Sequence, residues 1–170
     1  KKTTPEELLG PLNEVERKHA PRALYVAGDI GLCRGCARVS VIGTREVSPV
    51  GLKRTQDLVG MLVERGVVVV SGLARGVDTC AHRAATLAGG RTIAVIGTPL
   101  DQFYPKENAD LQRTLMAGHL VISQFPEGAP AERKNFVIRN RTMALVSHAT
   151  VIVEAGEGSG TLHHGWEALR

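Results

Sequence analysis

Val67-Val-Val-Val70, followed by Ser71-Gly72-Leu-Ala-Arg75-Gly76, is the stretch that decides the fold. Four consecutive β-branched residues show no alternation with polar ones, the pattern of a strand buried on both faces of a parallel sheet. Ser71 and Gly72 then mark a turn, and a helical pattern runs from about Val77 to Ala88 before Gly89-Gly90 stops it. A buried strand that feeds a helix is the building unit of an α/β protein.

Working outward, the unit recurs on both sides. Upstream, Arg38-Val-Ser-Val-Ile42 reads as a strand ending in Gly43-Thr44-Arg45, after which Ser48-Pro49 starts a helix carrying Leu52, Leu58, Val59 and Leu62 that Gly66 closes. Downstream, Arg91 to Ile96 is a strand broken at Gly97-Thr98-Pro99, and a loop through Tyr104-Pro105-Lys106 leads to a helix ending at Gly118. His119 to Ser123 is another strand, then come the turns of Phe125 to Pro130 and a helix from about Asn135 to Ser147. Ala149 to Glu154 is the last strand; the turn Gly156 to Thr161 feeds a helix-period pattern of Leu162, Trp166 and Leu169.

Towards the N-terminus, Ala23 to Ala27 is a short strand and Gly28 to Cys36 a loop. Thr4-Pro5-Glu6-Glu7 is a capping box with proline at the first helical position, and Gly10-Pro11 breaks or restarts the helix. Residues 1–22 therefore read as an N-terminal helical segment or linker, ahead of one domain over 23–170 that is truncated inside a helical pattern.

Strands and helices alternating at short spacing imply right-handed crossovers and a doubly wound, mainly parallel sheet covered on both faces, hence three layers. In such folds ligands sit beyond the carboxyl ends of the strands, at the switch point. Small or hydroxyl residues end several strands there: Gly43-Thr44, Ser71-Gly72, Gly97-Thr98 and Gly158-Ser159-Gly160-Thr161. Turns of this kind expose backbone N–H groups to an anion, a phosphate being the obvious guest, although the last also suits an ordinary turn capped by Ser159 or Thr161. None is a P-loop or an early dinucleotide fingerprint.

The chain has 170 residues, 43% hydrophobic and 22% charged, as expected for one compact core. No apolar run reaches the length of a membrane span and no signal-peptide core opens the sequence, so a cytoplasmic protein without membrane contact is expected. Three cysteines, an odd count, suit a reducing compartment. Cys33-Arg-Gly-Cys36 is half a zinc site without its other half, and Cys80 reads as a small buried residue; no metal or cofactor is expected.

Charge is more telling. Lys plus Arg exceeds Asp plus Glu by 21 − 17 = 4, and Arg133-Lys-Asn-Phe-Val-Ile-Arg-Asn-Arg141 alone holds four basic and no acidic residues. Cations interleaved with Asn135, Phe136 and Asn140 suit a single-stranded nucleic acid, through phosphates, base edges and a stacking face. A solvated basic helix face is the plainer alternative. Catalytic patterns are weaker: Ser71 lies outside a nucleophile elbow, and Cys80 and His82 point to different helix faces. Asp78 suits the N-terminus of its own helix, with His82 beside it, and Glu154 suits a ligand or a loop N–H.

An ordered series of short motifs carries a family resemblance. Val41-Ile-Gly-Thr-Arg45 comes first, with Ser48 and Gly51; Ser71 to Asp78 follows, with Ala81-His82; then Gly90 to Gly97, with Leu100-Asp101 and Tyr104-Pro105. Gln124-Phe-Pro-Glu-Gly128 leads on to Asn135-Phe136 and Arg139-Asn-Arg141, and Val153-Glu-Ala155 to Ser159-Gly-Thr-Leu162. From about Leu24 to Leu162 the chain resembles the DprA/Smf family of DNA-processing proteins.

The resemblance implies an extended Rossmann-like fold that binds single-stranded DNA without catalysis. It further implies protection of incoming strands in natural transformation, loading of a RecA-type recombinase, and a homodimer. Carried over, the binding residues are Gly43, Thr44, Arg45, Ser71, Gly72, Lys106, Asn135, Phe136, Arg139, Arg141, Ser159, Gly160 and Thr161. The chain departs from the family at Val137, where proline is common, and at His163-His164, in place of Thr-Ala.

A different class is the alternative: a nucleotide-binding protein, or a nucleoside monophosphate phosphoribohydrolase of the lysine-decarboxylase-like family. That chemistry needs a glutamate where this chain has His164, and Glu167 lies well over a helical turn too far on to substitute.

Overall fold

The computed structural model describes residues 1–156 and Gly165. The expectations for Gly158 to Thr161, Leu162, His163, His164, Trp166, Glu167 and Leu169 lie outside the described residues. Seven strands form within the described residues: β1 (Lys2–Thr3), β2 (Leu24–Gly28), β3 (Arg38–Ile42), β4 (Val68–Ser71), β5 (Thr92–Ile96), β6 (Leu120–Ser123) and β7 (Ala149–Ile152). The helices are α1 (Pro5–Leu9), α2 (Glu14–His19), α3 (Pro49–Glu64), α4 (Val77–Leu87), α5 (Ala109–Gly118) and α6 (Arg133–Val146).

All seven strands belong to one sheet in the order β1-β2-β6-β5-β4-β3-β7. From β6 to β7 every pairing is parallel, whereas β2 runs antiparallel to β6 and β1 antiparallel to β2. The fold is thus a doubly wound, three-layer α/β sandwich with an antiparallel extension at one edge. Strand β2 departs from the strand–helix alternation because a short 3-10 turn, Ile30–Cys33, follows it instead of a crossover helix.

Burial of successive residues on opposite faces explains the unbroken apolar runs. Val68 and Val70 pack with Ile93, Val95, Leu120 and Ile122 on the face covered by Met143 and Val146 of α6. Val69 faces Val59 of α3 and Val77, Ala81 and Ala85 of α4, while Ala94 and Val121 meet Leu115 of α5. Helices α3, α4 and α5 therefore share one face and α6 covers the other, as a reversal of crossover direction requires. The reversal falls between β3 and β7, and their carboxyl ends make the switch point.

Local signals set the boundaries. Thr4 and Asn13 each close a capping box, with Glu7 and Glu16, so two short helices replace one interrupted helix. Ser48 caps α3 with Pro49 in its first turn, and Gly66 leaves the helix at φ 69. At the amino end of β3 the buried Arg38 donates to Val146 O at 2.6 Å and Cys33 O at 2.7 Å, tying α6 to the turn after β2. Burial pushes the Cys33 thiol up to about 11, which keeps it protonated and inert. Cys80 is half-buried rather than buried, because the Ala81 and Ala85 side of α4 takes the core position. No helix among the described residues is long and apolar enough to cross a membrane.

Ile122 is fully buried and Leu87 is 87% exposed. Ile122→Ala is expected to lower the unfolding free energy by about 2–5 kcal/mol. Leu87→Ala should stay within about 0.5 kcal/mol of wild type. Denaturant titrations check both, and an Ile122→Ala midpoint equal to wild type would contradict this core.

Candidate functional site

At the carboxyl rim, the loops after β3, β4 and β5 and the start of α6 converge. The turn after β3 is anchored on both sides: Thr44 N–H donates to Glu154 O at 2.7 Å, and Thr44 O accepts from Val77 N at 3.2 Å. The exposed Arg45 projects from that turn. The turn after β4 is held by Asp78, whose Oδ2 accepts from Gly72 N at 3.2 Å and Ala74 N at 3.3 Å. Asp78 thus serves the loop before its helix rather than the helix itself, because a buried loop N–H needs an acceptor more than a helix end does. Ser71 is buried and its hydroxyl donates to Val41 O at 2.7 Å, joining β4 to β3.

These turns surround a pocket of about 220 Å³. Among the described residues, Arg45, Arg75 and Arg139 line it with one carboxylate, Glu46, and with Tyr104 and Phe136 as aromatic walls; Arg75 also pairs with Glu107. Two glycines make room for the larger groups. A Cβ on Gly72 would lie 1.5 Å from Arg139 Nη1, and one on Gly97 would lie 2.7 Å from Phe136 Cδ1. Gly72 therefore admits a guanidinium and Gly97 an aromatic ring.

Arg139 is 6% exposed. Its Nη1 donates to Val95 O at 3.0 Å, and its buried Nε has no hydrogen-bond partner among the described residues. Burial pushes the guanidinium below its ordinary pKa and the Asp78 carboxyl above its own, while attraction between the two charges opposes both shifts. Arg45 adds a like charge nearby. An anion in the pocket would offset that surplus.

The expected residues are not all brought together. Arg45, Gly72, Phe136 and Arg139 line the pocket, while Gly43 and Thr44 precede Arg45 in its turn and the buried Ser71 precedes Gly72. Lys106 is exposed and follows Pro105 of its wall. Asn135 is buried and donates through Nδ2 to Pro130 O at 3.0 Å, fixing the loop ahead of α6. Arg141 lines a different hollow, of about 260 Å³, with Asn13, His19 and His148. Two residues apart on a helix, Arg139 and Arg141 point to different sides. Ser159, Gly160 and Thr161 lie outside the described residues. Arg75 and Tyr104 joined the pocket without being singled out as ligands; Arg75 lies in the turn after β4 and Tyr104 in the loop after β5, so their rim position was the available signal.

At the switch point, the chain supplies its own anion. Ser48 N–H donates to Glu154 Oε1 at 3.1 Å and Ser48 Oγ to Glu154 Oε2 at 2.6 Å, with Gly51 N–H donating to Ser48 Oγ at 3.0 Å. Pro49 has no N–H to offer. Glu154 thus contacts a loop N–H and occupies the α3 N-terminus, where a Rossmann protein holds its pyrophosphate.

The fold and the rim pocket define a doubly wound α/β protein with a cationic, aromatic-walled site beside a self-occupied switch point. Sequence comparison places it more closely. The chain belongs to the DNA recombination-mediator protein A family, whose sequence profile matches residues 4–170. It is 42% identical over 143 residues to DNA processing protein DprA of Streptococcus pneumoniae, covering 84% of this chain and 50% of that protein. The X-ray structure of that DprA superposes with a TM-score of 0.84 at 40% identity, covering 88% of this chain and 52% of the other. DprA of Helicobacter pylori, whose structure concerns a single-stranded DNA binding mode, gives a TM-score of 0.86 at 28% identity, with 99% and 76% coverage. The chain spans half or less of the length of the curated relatives it matches.

Behind the pocket, His82 is fully buried. Thr92 Oγ1 donates to Val69 O at 2.8 Å, so the 2.8 Å contact between Thr92 Oγ1 and His82 Nδ1 requires the proton on Nδ1. Burial, with help from His119 and Arg139, pushes the imidazole pKa from 6.5 down to about 3. Its stabilising contribution is therefore complete above pH 6.5 and is lost as pH falls from there towards about 3. Between about pH 7 and about pH 5, wild type should lose more stability than His82→Gln in denaturant titrations. Parallel losses would contradict the buried neutral imidazole.

Proposed function

We propose that this chain is a single-stranded DNA-binding, DNA-processing module without catalysis of its own, and that the rim pocket takes the strand. The observation that carries the proposal is the buried guanidinium of Arg139, whose Nε has no partner among the described residues, beside the exposed Arg45 and an aromatic wall. Phosphates meet the two arginines, and the aromatic wall that includes Phe136 meets a base. Gly43, Thr44, Ser71 and Gly72 frame these contacts. Lys106 continues the phosphate track, and Asn135 holds the loop that leads into it; for Ser159, Gly160 and Thr161, outside the described residues, the role in DNA binding rests on the family resemblance alone. Arg141, facing the other hollow, stands outside it.

The finer biology is proposed by relation to the family: protection of single strands in the cytoplasm, delivery to a RecA-type recombinase in recombination or natural transformation, and action as a homodimer. A nucleotide-binding or phosphoribohydrolase reading is less well supported. Glu154 fills the anion position at the switch point, and a pocket of about 220 Å³ is smaller than the roughly 300–1,000 Å³ of typical small-ligand sites. That volume suits one base or phosphate of a longer strand.

Arg45→Ala is expected to weaken oligo-dT binding and to reduce the log–log salt slope by about 0.7, the loss of one phosphate contact on a single strand. Arg139→Gln should weaken binding further. Fluorescence anisotropy over a salt series measures both, and variant titrations that superimpose on wild type would sink the assignment.

A further inference from the structure

We infer that Tyr104 presents a stacking face for an unpaired base, with the ring of Phe136 as its backing. The inference rests on the single-stranded DNA reading and adds to it a residue and the part of the ligand that residue meets. Tyr104 is 50% exposed and lines the same pocket as the arginine side chains that suit phosphates. Its ring centroid lies 5.2 Å from that of Phe136 at an interplanar angle of 51°. Phe136 in turn rests on the backbone of Gly97, where a Cβ would lie 2.7 Å from its Cδ1. One ring is thus packed from behind and the other is left half open to solvent.

A half-exposed ring on a loose loop would be poorly suited to stacking, because ordering it opposes binding. The loop that carries Tyr104 is pinned on both sides instead. Before it, Gln102 donates through Nε2 to Ala129 O at 3.0 Å, and Gln102 O accepts from Thr98 Oγ1 at 3.2 Å and from the buried Gln112 Nε2 at 3.3 Å. After it, the buried Asn108 donates through Nδ2 to Leu73 O at 3.0 Å and Thr79 Oγ1 at 2.7 Å, and its N–H donates to Pro105 O at 3.0 Å. Pro105 itself is buried. The ring is therefore held on a fixed backbone before any strand arrives, as a stacking platform requires.

The test compares oligo-dT with an abasic strand of the same backbone, by anisotropy over a salt series. Wild type should bind oligo-dT more tightly than the abasic strand. Tyr104→Leu, which keeps an apolar contact with Phe136 but lacks a π face, should weaken oligo-dT binding about tenfold. Its affinity for the abasic strand and its salt slope should stay unchanged, and Tyr104→Phe should bind both strands as wild type does. Equal weakening on both strands would assign Tyr104 a merely structural role, and unchanged oligo-dT affinity would remove it from the site; either overturns the inference while leaving DNA binding intact. Failure of wild type to bind either strand would instead overturn the single-stranded DNA reading and the inference with it.

Discussion

The rim of this protein is organised by one buried charge. Arg139 enters the molecule over Gly72 and donates to a carbonyl of β5, opposite the carboxylate of Asp78 that holds the turn after β4. A buried charge is costly unless hydrogen bonds and a nearby counter-charge offset its lost solvation, and here the Val95 carbonyl and the field of Asp78 do so. The surface pair of Arg75 with Glu107, more than half exposed at both side chains, belongs to a class worth about 0–1 kcal/mol. Strand ends, turn geometry and ligand chemistry are therefore tied together at Arg139 in a way no surface ion pair could match.

The same economy explains where a ligand goes. In a doubly wound sheet the strongest anion position lies at the switch point, and here Glu154 already fills it through Ser48. A phosphate would meet a resident carboxylate there. One step along the rim, among the turns after β3, β4 and β5, the described lining holds three arginines and one glutamate, with Arg75 also paired to Glu107. The fold offers both positions, and the side chains select the second.

Much of this was legible in the sequence. Unbroken apolar runs such as Val68 to Val70 announce burial on both faces, and the Gly and Ser residues that end the strands announce the rim. What the sequence obscured depends on tertiary partners. The direction of β2 is set by its pairing with β6, not by its own residues. Asn13 and Glu16 form a capping box that Gly10-Pro11 distracts from. The motif Arg139-Asn-Arg141 reads as one basic group, yet helical geometry sends its two cations to different hollows. Asp78 looks like a helix cap until its bonds to Gly72 and Ala74 are seen. Tyr104 carries no charge and follows no period, so its rim loop was its signal in the sequence, and its contact with Phe136 adds the rest.

The central claim is that the cationic rim takes a polynucleotide and not a free nucleotide. Titration of labelled oligo-dT at low and moderate salt, with AMP and duplex DNA as competitors, tests it most directly. Salt-sensitive binding that AMP fails to displace, and for which duplex competes poorly, is the predicted result. Displacement by AMP, or AMP binding without oligo-dT binding, would contradict the account and mean that the rim holds a single nucleotide.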